Sequence, residues 1–180
     1  VVETAQYGAA AALITMKDWP RPIGVLEGFR RDFPASKQQA DVTQKLAVAY
    51  MEAGRSDAAA GEFERIAATP GQSPALRLEA LSLAADQYEK SGNTGKTVAT
   101  LEQLVMDFPT PVAERIETRQ KLAEYAAKAS DRERVMYWQR EIVKADGTAG
   151  AARTDRTKFL AARSSLALAE PERDVLRGLQ

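Results

Sequence analysis

The residues with the most scope for chemistry in this sequence are its carboxylates, and they recur at a fixed distance. Glu79 and Glu117 stand 38 residues apart, and so do Asp86 and Glu124. A pair of carboxylates can serve as general acid and general base, as in glycoside hydrolysis. That division of labour requires one partner to be raised by burial or by a close like charge. Here the candidates fall on separate exposed helical faces. Thiol and imidazole groups are missing by composition, because the 180 residues include no cysteine and no histidine. A thiol nucleophile, an imidazole base, a zinc finger and an iron–sulfur site are therefore excluded. The Gly-Lys-Thr within Ser91–Thr97 lacks both a preceding strand and the full phosphate-loop spacing, so it reads as a turn. No EF-hand loop is present. The expectation is a protein without catalytic, cofactor-binding or metal-binding residues.

Charge narrows the class further. Basic and acidic residues balance at 25 each, with residues 1–110 at −3 and residues 111–180 at +3. A general nucleic-acid binder normally carries a basic excess, so no nucleic-acid partner is expected. No stretch approaches the 18 or so apolar residues that a membrane span needs. Alanine is over-represented, at 33 of the 180 residues. Its placement explains why.

The segment beginning at Gln39 aligns with those beginning at Arg77, Arg115 and Arg153, each 38 residues after the last. Leu46, Ala84, Leu122 and Leu160 correspond in this frame, and Ala47, Ala85, Ala123 and Ala161 follow them. Tyr50, Tyr88 and Ala126 come three residues later, and one period earlier the frame gives Gly8, Ala9 and Ala12. A second amphipathic segment follows each of the first four copies, at 19–33, 56–68, 93–108 and 131–145. Apolar residues recur there at helical spacing, as in Val98, Leu101 and Leu104. Asp18, Ser36, Ser73, Asn93, Thr110 and Ser130 are candidate N-caps, with Pro74 and Pro111 in first turns. Gly54 and Gly92 are candidate C-terminal stops. Small residues at one register allow two helices of a hairpin to approach closely, with Tyr50 and Tyr88 packing between hairpins. A fifth helix is expected at about 151–169, and the last ten residues read as the opening of another. On that basis the chain is expected to be a piece of a longer protein.

This pattern resembles the tetratricopeptide-repeat (TPR) superfamily. Leu46, Ala47, Tyr50, Ala59 and Phe63 match the motif in the second copy, and Ala84, Ala85, Tyr88, Leu101 and Pro109 match it in the third. The first copy contributes Ala10, Leu26 and Pro34, while the fourth is shifted by one residue at Trp138. The period departs from the family value of about 34, and Ile66 and Leu104 stand where alanine is usual. The longer period, with Asp-Phe-Pro closing two of the copies, is similar to the arrays of bacterial periplasmic and envelope proteins, outer-membrane assembly lipoproteins among them. The resemblance implies an all-α, right-handed superhelical array of antiparallel helix hairpins. It would form a single domain over 1–180, with hairpins at about 1–35, 36–72, 73–109, 110–147 and 148–180.

In such arrays the first helix of each hairpin lines the concave face. The implied protein-binding groove is Asp41, Gln44, Val48 and Met51; Glu79, Ser82, Asp86 and Glu89; and Glu117, Gln120, Glu124 and Lys128. The fifth copy adds Asp155, Lys158, Ala162, Ser165 and Leu166. Such a groove would hold a peptide or protein partner carrying basic groups; otherwise these residues form solvated helix faces. Arg77, Arg115 and Arg153 read as partners of neighbouring carboxylates or as solvent-facing cations ahead of a ladder for acidic ligands. Trp19, Phe33 and Phe108 read as packing residues, and one of the adjacent pair Tyr137 and Trp138 must leave the core face. The expected function is a non-catalytic protein-interaction scaffold, with a structural spacer or oligomerisation arm as the alternative. The expected location is periplasmic or envelope-associated, with the cytoplasm left open.

Overall fold

Helix-forming residues dominate the chain, and the computed structural model, which describes residues 2–16 and 19–178, is helical accordingly. Among the described residues there are nine α-helices, one 3-10 turn and no strand. They are α1 (Val2–Thr15), α2 (Pro20–Asp32), α3 (Gln39–Glu52), α4 (Ser56–Ala68), α5 (Pro74–Ser91), α6 (Thr94–Asp107), α7 (Val112–Lys128), α8 (Arg132–Thr148) and α9 (Asp155–Gly178). The chain divides inside α6 into two compact units, Val1–Thr100 and Leu101–Gln180.

In the first unit α1 packs on α2, α2 on α3, α3 on α4 and α4 on α5. Ala47, Ala49, Ala59, Ala60 and Ala84 are completely buried, and Ala85 nearly so. These small side chains let the helix backbones close together, while Leu26, Phe29, Leu46 and Leu81 fill the space between them. Burying each such large side chain contributes about 1.5–3 kcal/mol. Phe29 is the hub of the opening hairpin, with Tyr7 edge-on at 6.0 Å and Phe33 tilted against it at 5.1 Å. In the first copy the packed alanine is Ala10, whereas Gly8, Ala9 and Ala12 are not buried. The 38-residue frame is therefore displaced here. Helix α1 has alanine at positions 9 through 12, so composition cannot set its phase, and packing against α2 does.

Two tyrosines fasten successive hairpins in this unit. The Tyr50 hydroxyl on α3 donates to Glu27 on α2, and the Tyr88 hydroxyl on α5 donates to Glu64 on α4 at 2.7 Å. Burial first and Glu27 second push the Tyr50 hydroxyl up to about 12, and burial followed by Glu64 raises that of Tyr88. Nearby, Arg30 holds the buried Glu62 through two parallel bonds of 2.7 and 2.6 Å. Such bidentate pairing fixes both position and orientation.

In the second unit α7 packs on α8, α8 on α9, and α7 also meets α9. Ile116, Ile142, Leu160 and Ala161 form one core cluster, with Val112 and Ala145 against it. The expected loop around Gly147 is largely helical, since α8 runs to Thr148. Its cause is Asp146, which is buried, accepts from Thr157 at 2.8 Å and meets Arg153 at 2.6 Å. The carboxyl is held below its ordinary value chiefly by Arg153, with Thr157 helping against the opposing effect of burial. The fifth helix starts at Asp155 rather than near 151 and does not stop near 169. Residues 171–178 extend α9 instead of opening another helix. Pro171 removes one amide donor, and the good helix formers on either side carry the helix across it.

Ser73 caps α5 through the Leu76 amide, and Asn93 accepts from the Lys96 amide. Gly54 and Gly92 adopt the left-handed backbone expected of helix stops, at φ 72° and 75°. Other caps differ from expectation. Ser36 accepts from the Gln38 amide, ahead of the start of α3. Pro111, not Thr110, holds the capping position of α7, which places it just outside the first turn. Asp131 caps α8 in place of Ser130, whose φ of 57° ends the preceding turn. Asp18 lies outside the described residues.

Two outcomes follow. Ala85→Leu should overpack the seam and lower the urea midpoint by the equivalent of about 1–3 kcal/mol, whereas Ala40→Leu at an exposed position should stay within about 0.5 kcal/mol. A tyrosine whose folded pKa exceeds its unfolded one stabilises the fold fully below the unfolded value. That contribution is lost as pH rises through the folded value. Stability should therefore fall between pH 10.0 and about 12, and Tyr50→Phe should flatten that slope in urea titrations across the alkaline range.

Candidate functional site

The expected groove residues lie on first helices, and their individual environments differ. On α3 of the first unit, Asp41 accepts from the Tyr7 hydroxyl and pairs with Lys45 at 3.1 Å, so it is already engaged. Gln44 and Val48 are exposed and Met51 is half-buried. On α5, Glu79, Asp86 and Glu89 are exposed, and Ser82 turns its hydroxyl back to the Leu78 carbonyl at 2.9 Å. Such a back-bond satisfies the hydroxyl within its own helix.

The second unit brings its expected residues closer together. Glu117 on α7 receives Arg156 of α9 at 2.7 Å, which ties two first helices together through an exposed pair. Gln120 is 8% exposed and donates to Glu124 one turn along at 2.7 Å. Lys128 lies over the Tyr125 ring at 5.5 Å. Gln120 and Glu124 line a cleft of about 210 Å³ between α7, α8 and α9, together with Ala123, Ala127, Val135, Gln139, Arg163, Ser164 and Ala167. Its floor is small and apolar, and its rim offers a carboxylate, a guanidinium and an amide. That is room for one side chain of a visiting segment, with groups of both signs to orient it.

Gln139, Arg163 and Ser164 escape the sequence reading. The first belongs to a second helix, and the other two lie on a face of α9 that the repeat register does not assign to the groove. The recurring arginines separate into different roles. Arg77 donates to the Ala67 carbonyl at 3.2 Å, and Arg153 meets Asp146. Arg115 is buried, with Glu114 at 3.3 Å, and burial lowers its pKa. Trp138 is the core member of its pair and Tyr137 is 46% exposed, so the one-residue shift of the fourth copy is resolved in favour of the tryptophan. Trp19, Phe33 and Phe108 are all half-buried.

Among the described residues no group of three or more carboxylates is placed to hold a metal ion. No described helix is long and apolar enough to cross a membrane.

No family model matches the chain, and no curated protein matches it in sequence. Among solved structures, it is similar to two crystal structures of nearly identical TPR-like repeats assigned to a kinesin light chain of Podosopora anserina, one of them carrying a single substitution. Identity is 17% in both cases, with a TM-score of 0.49. The aligned part covers 97% of this chain and 91% of the substituted one, and 94% and 88% for its counterpart. At this distance no residue role passes to this chain.

The pairing of Gln120 with Glu124 can be tested directly. Glu124→Ala removes the acceptor of a buried amide and should cost about 1–3 kcal/mol in urea unfolding. Glu124→Gln keeps an acceptor and should cost less than half as much.

Proposed function

We propose that this chain is a non-catalytic scaffold that holds a segment of a partner protein against the exposed faces of its first helices. The observation that carries this reading is the cleft between α7, α8 and α9, where Glu124 and Arg163 stand at the rim of a small apolar floor. In the first unit, Asp86 and Glu79 keep exposed carboxylates on α5, and Val48 leaves 43% of its surface open on α3. A segment with alternating basic and apolar side chains is the complement of such faces. Charge would speed the encounter and set orientation, and apolar contact would retain the segment. Hairpins supported by buried alanine seams supply the preorganised surface. The 38-residue period and the Asp-Phe-Pro closures, through the resemblance they carry, support a place in a bacterial envelope assembly.

Charge reversal separates this scaffold from a passive spacer. In cross-linking and pull-down from envelope extracts, the full chain should retain a stoichiometric protein partner. Glu124→Lys and Asp86→Lys should each lower its recovery by about tenfold or more. Unchanged recovery in both variants, or no partner together with a rod-like scattering profile, would replace the scaffold reading with the spacer.

A further inference from the structure

A second cleft, of about 420 Å³, opens in the second unit between α6 and α8, away from the groove residues. It is lined by Glu102, Met106, Glu133, Arg134, Tyr137 and Trp138. Glu102 and Arg134 form an ion pair, and no ion pair is formed by Glu133 among the described residues, so the lining carries one more negative charge than positive. Met106 is 70% exposed and Tyr137 46% exposed, an unusual pair of open apolar side chains flanking one depression. Trp138 is 3% exposed, and its indole N–H meets no acceptor.

The tyrosines of this chain make the chemistry of the cleft specific. Among the described residues four of the five carry a cation over the ring: Lys45 over Tyr7, Arg55 over Tyr50, Lys96 over Tyr88 and Lys128 over Tyr125, at 4.7 to 5.6 Å. Tyr137 is the fifth and has none. Its ring contact is the edge of Trp138 at 4.8 Å. Glu133 stands one helical turn before Tyr137, on the same face of α8, so a carboxylate and an open ring face flank the same space.

We infer that this cleft is a docking site for a lysine or arginine side chain presented by a partner protein. The aliphatic stem of such a residue lies along Met106 and Trp138, and its charged head sits between the Glu133 carboxylate and the Tyr137 ring. The site is independent of the first-helix groove.

The test uses the 15N-labelled full chain and two short neutral peptides, identical except that one carries a single arginine and the other citrulline at the same position. The arginine peptide should shift the amides of residues 133–138 and the Trp138 indole resonance, leaving Gln120 and Glu124 unmoved. Tyr137→Leu and Glu133→Gln should each weaken binding by about 3- to 10-fold, and Tyr137→Phe, which keeps the ring face, should restore it. Both positions are exposed, and circular dichroism checks that the variants remain folded. Equal binding of the citrulline peptide, indifference to Tyr137→Leu, or shifts confined to the α7–α9 cleft would overturn the assignment. Because Glu124→Lys should not alter this binding, failure here and failure of the groove reading are distinguishable.

Discussion

Close approach of helices across alanine is the constraint on which the rest of this chain depends. Ala47 and Ala85 in the first unit and Ala123 and Ala161 in the second are all buried, at the same point of successive periods. A larger residue there would push the backbones apart and open voids around Leu46, Leu81, Leu122 or Leu160, where dispersion contacts fall away steeply with distance. Alanine contributes little apolar area of its own. Its role is to set the spacing at which its larger neighbours reach packing density.

Around that seam the polar interactions divide into two kinds. Some are internal fastenings, such as Arg30 with Glu62 and Asp146 with Arg153 and Thr157, in which one partner is buried and breaking the pair would strand it. Others, such as Arg156 with Glu117, join exposed groups and are worth little individually. The groove residues span both kinds: Gln120 is structural in its burial, whereas Asp86 and Glu79 are open to solvent. A face assigned to binding by its register is therefore a mixture of supporting and available side chains.

This mixture also explains what the sequence conveys. Helix α4 is legible to the residue, because Gly54 and the Thr-Pro-Gly segment punctuate it on both sides. The seam is legible in the second to fifth copies, where larger residues flank each alanine and define a phase. It fails in α1, where four consecutive alanines leave the phase open. The extents of α8 and α9 differ from expectation because Gly147 and Pro171 are local stop signals. At the end of α8 that signal is outweighed by a buried carboxylate with partners 7 and 11 residues away. The α6–α8 cleft has no sequence signal beyond Tyr137 standing beside Trp138. The empty ring face that gives it meaning emerges only when the other four tyrosines are seen with their cations.

The tyrosine clasps of the first unit have a further consequence for how such a chain can change in length. Tyr50 reaches back 23 residues to Glu27 and Tyr88 reaches back 24 to Glu64, so two successive joints of the first unit carry the same kind of donor and acceptor at nearly the same spacing. Interchangeable joints make the hairpin a unit of insertion and loss. Removing one whole 38-residue period would set Tyr88 at the spacing from Glu27 that Tyr50 now holds, with the alanine seam still in phase. A deletion of half a period would break both registers at once. Growth or shortening by a whole period would thus leave the alanine seam and the tyrosine clasps in register.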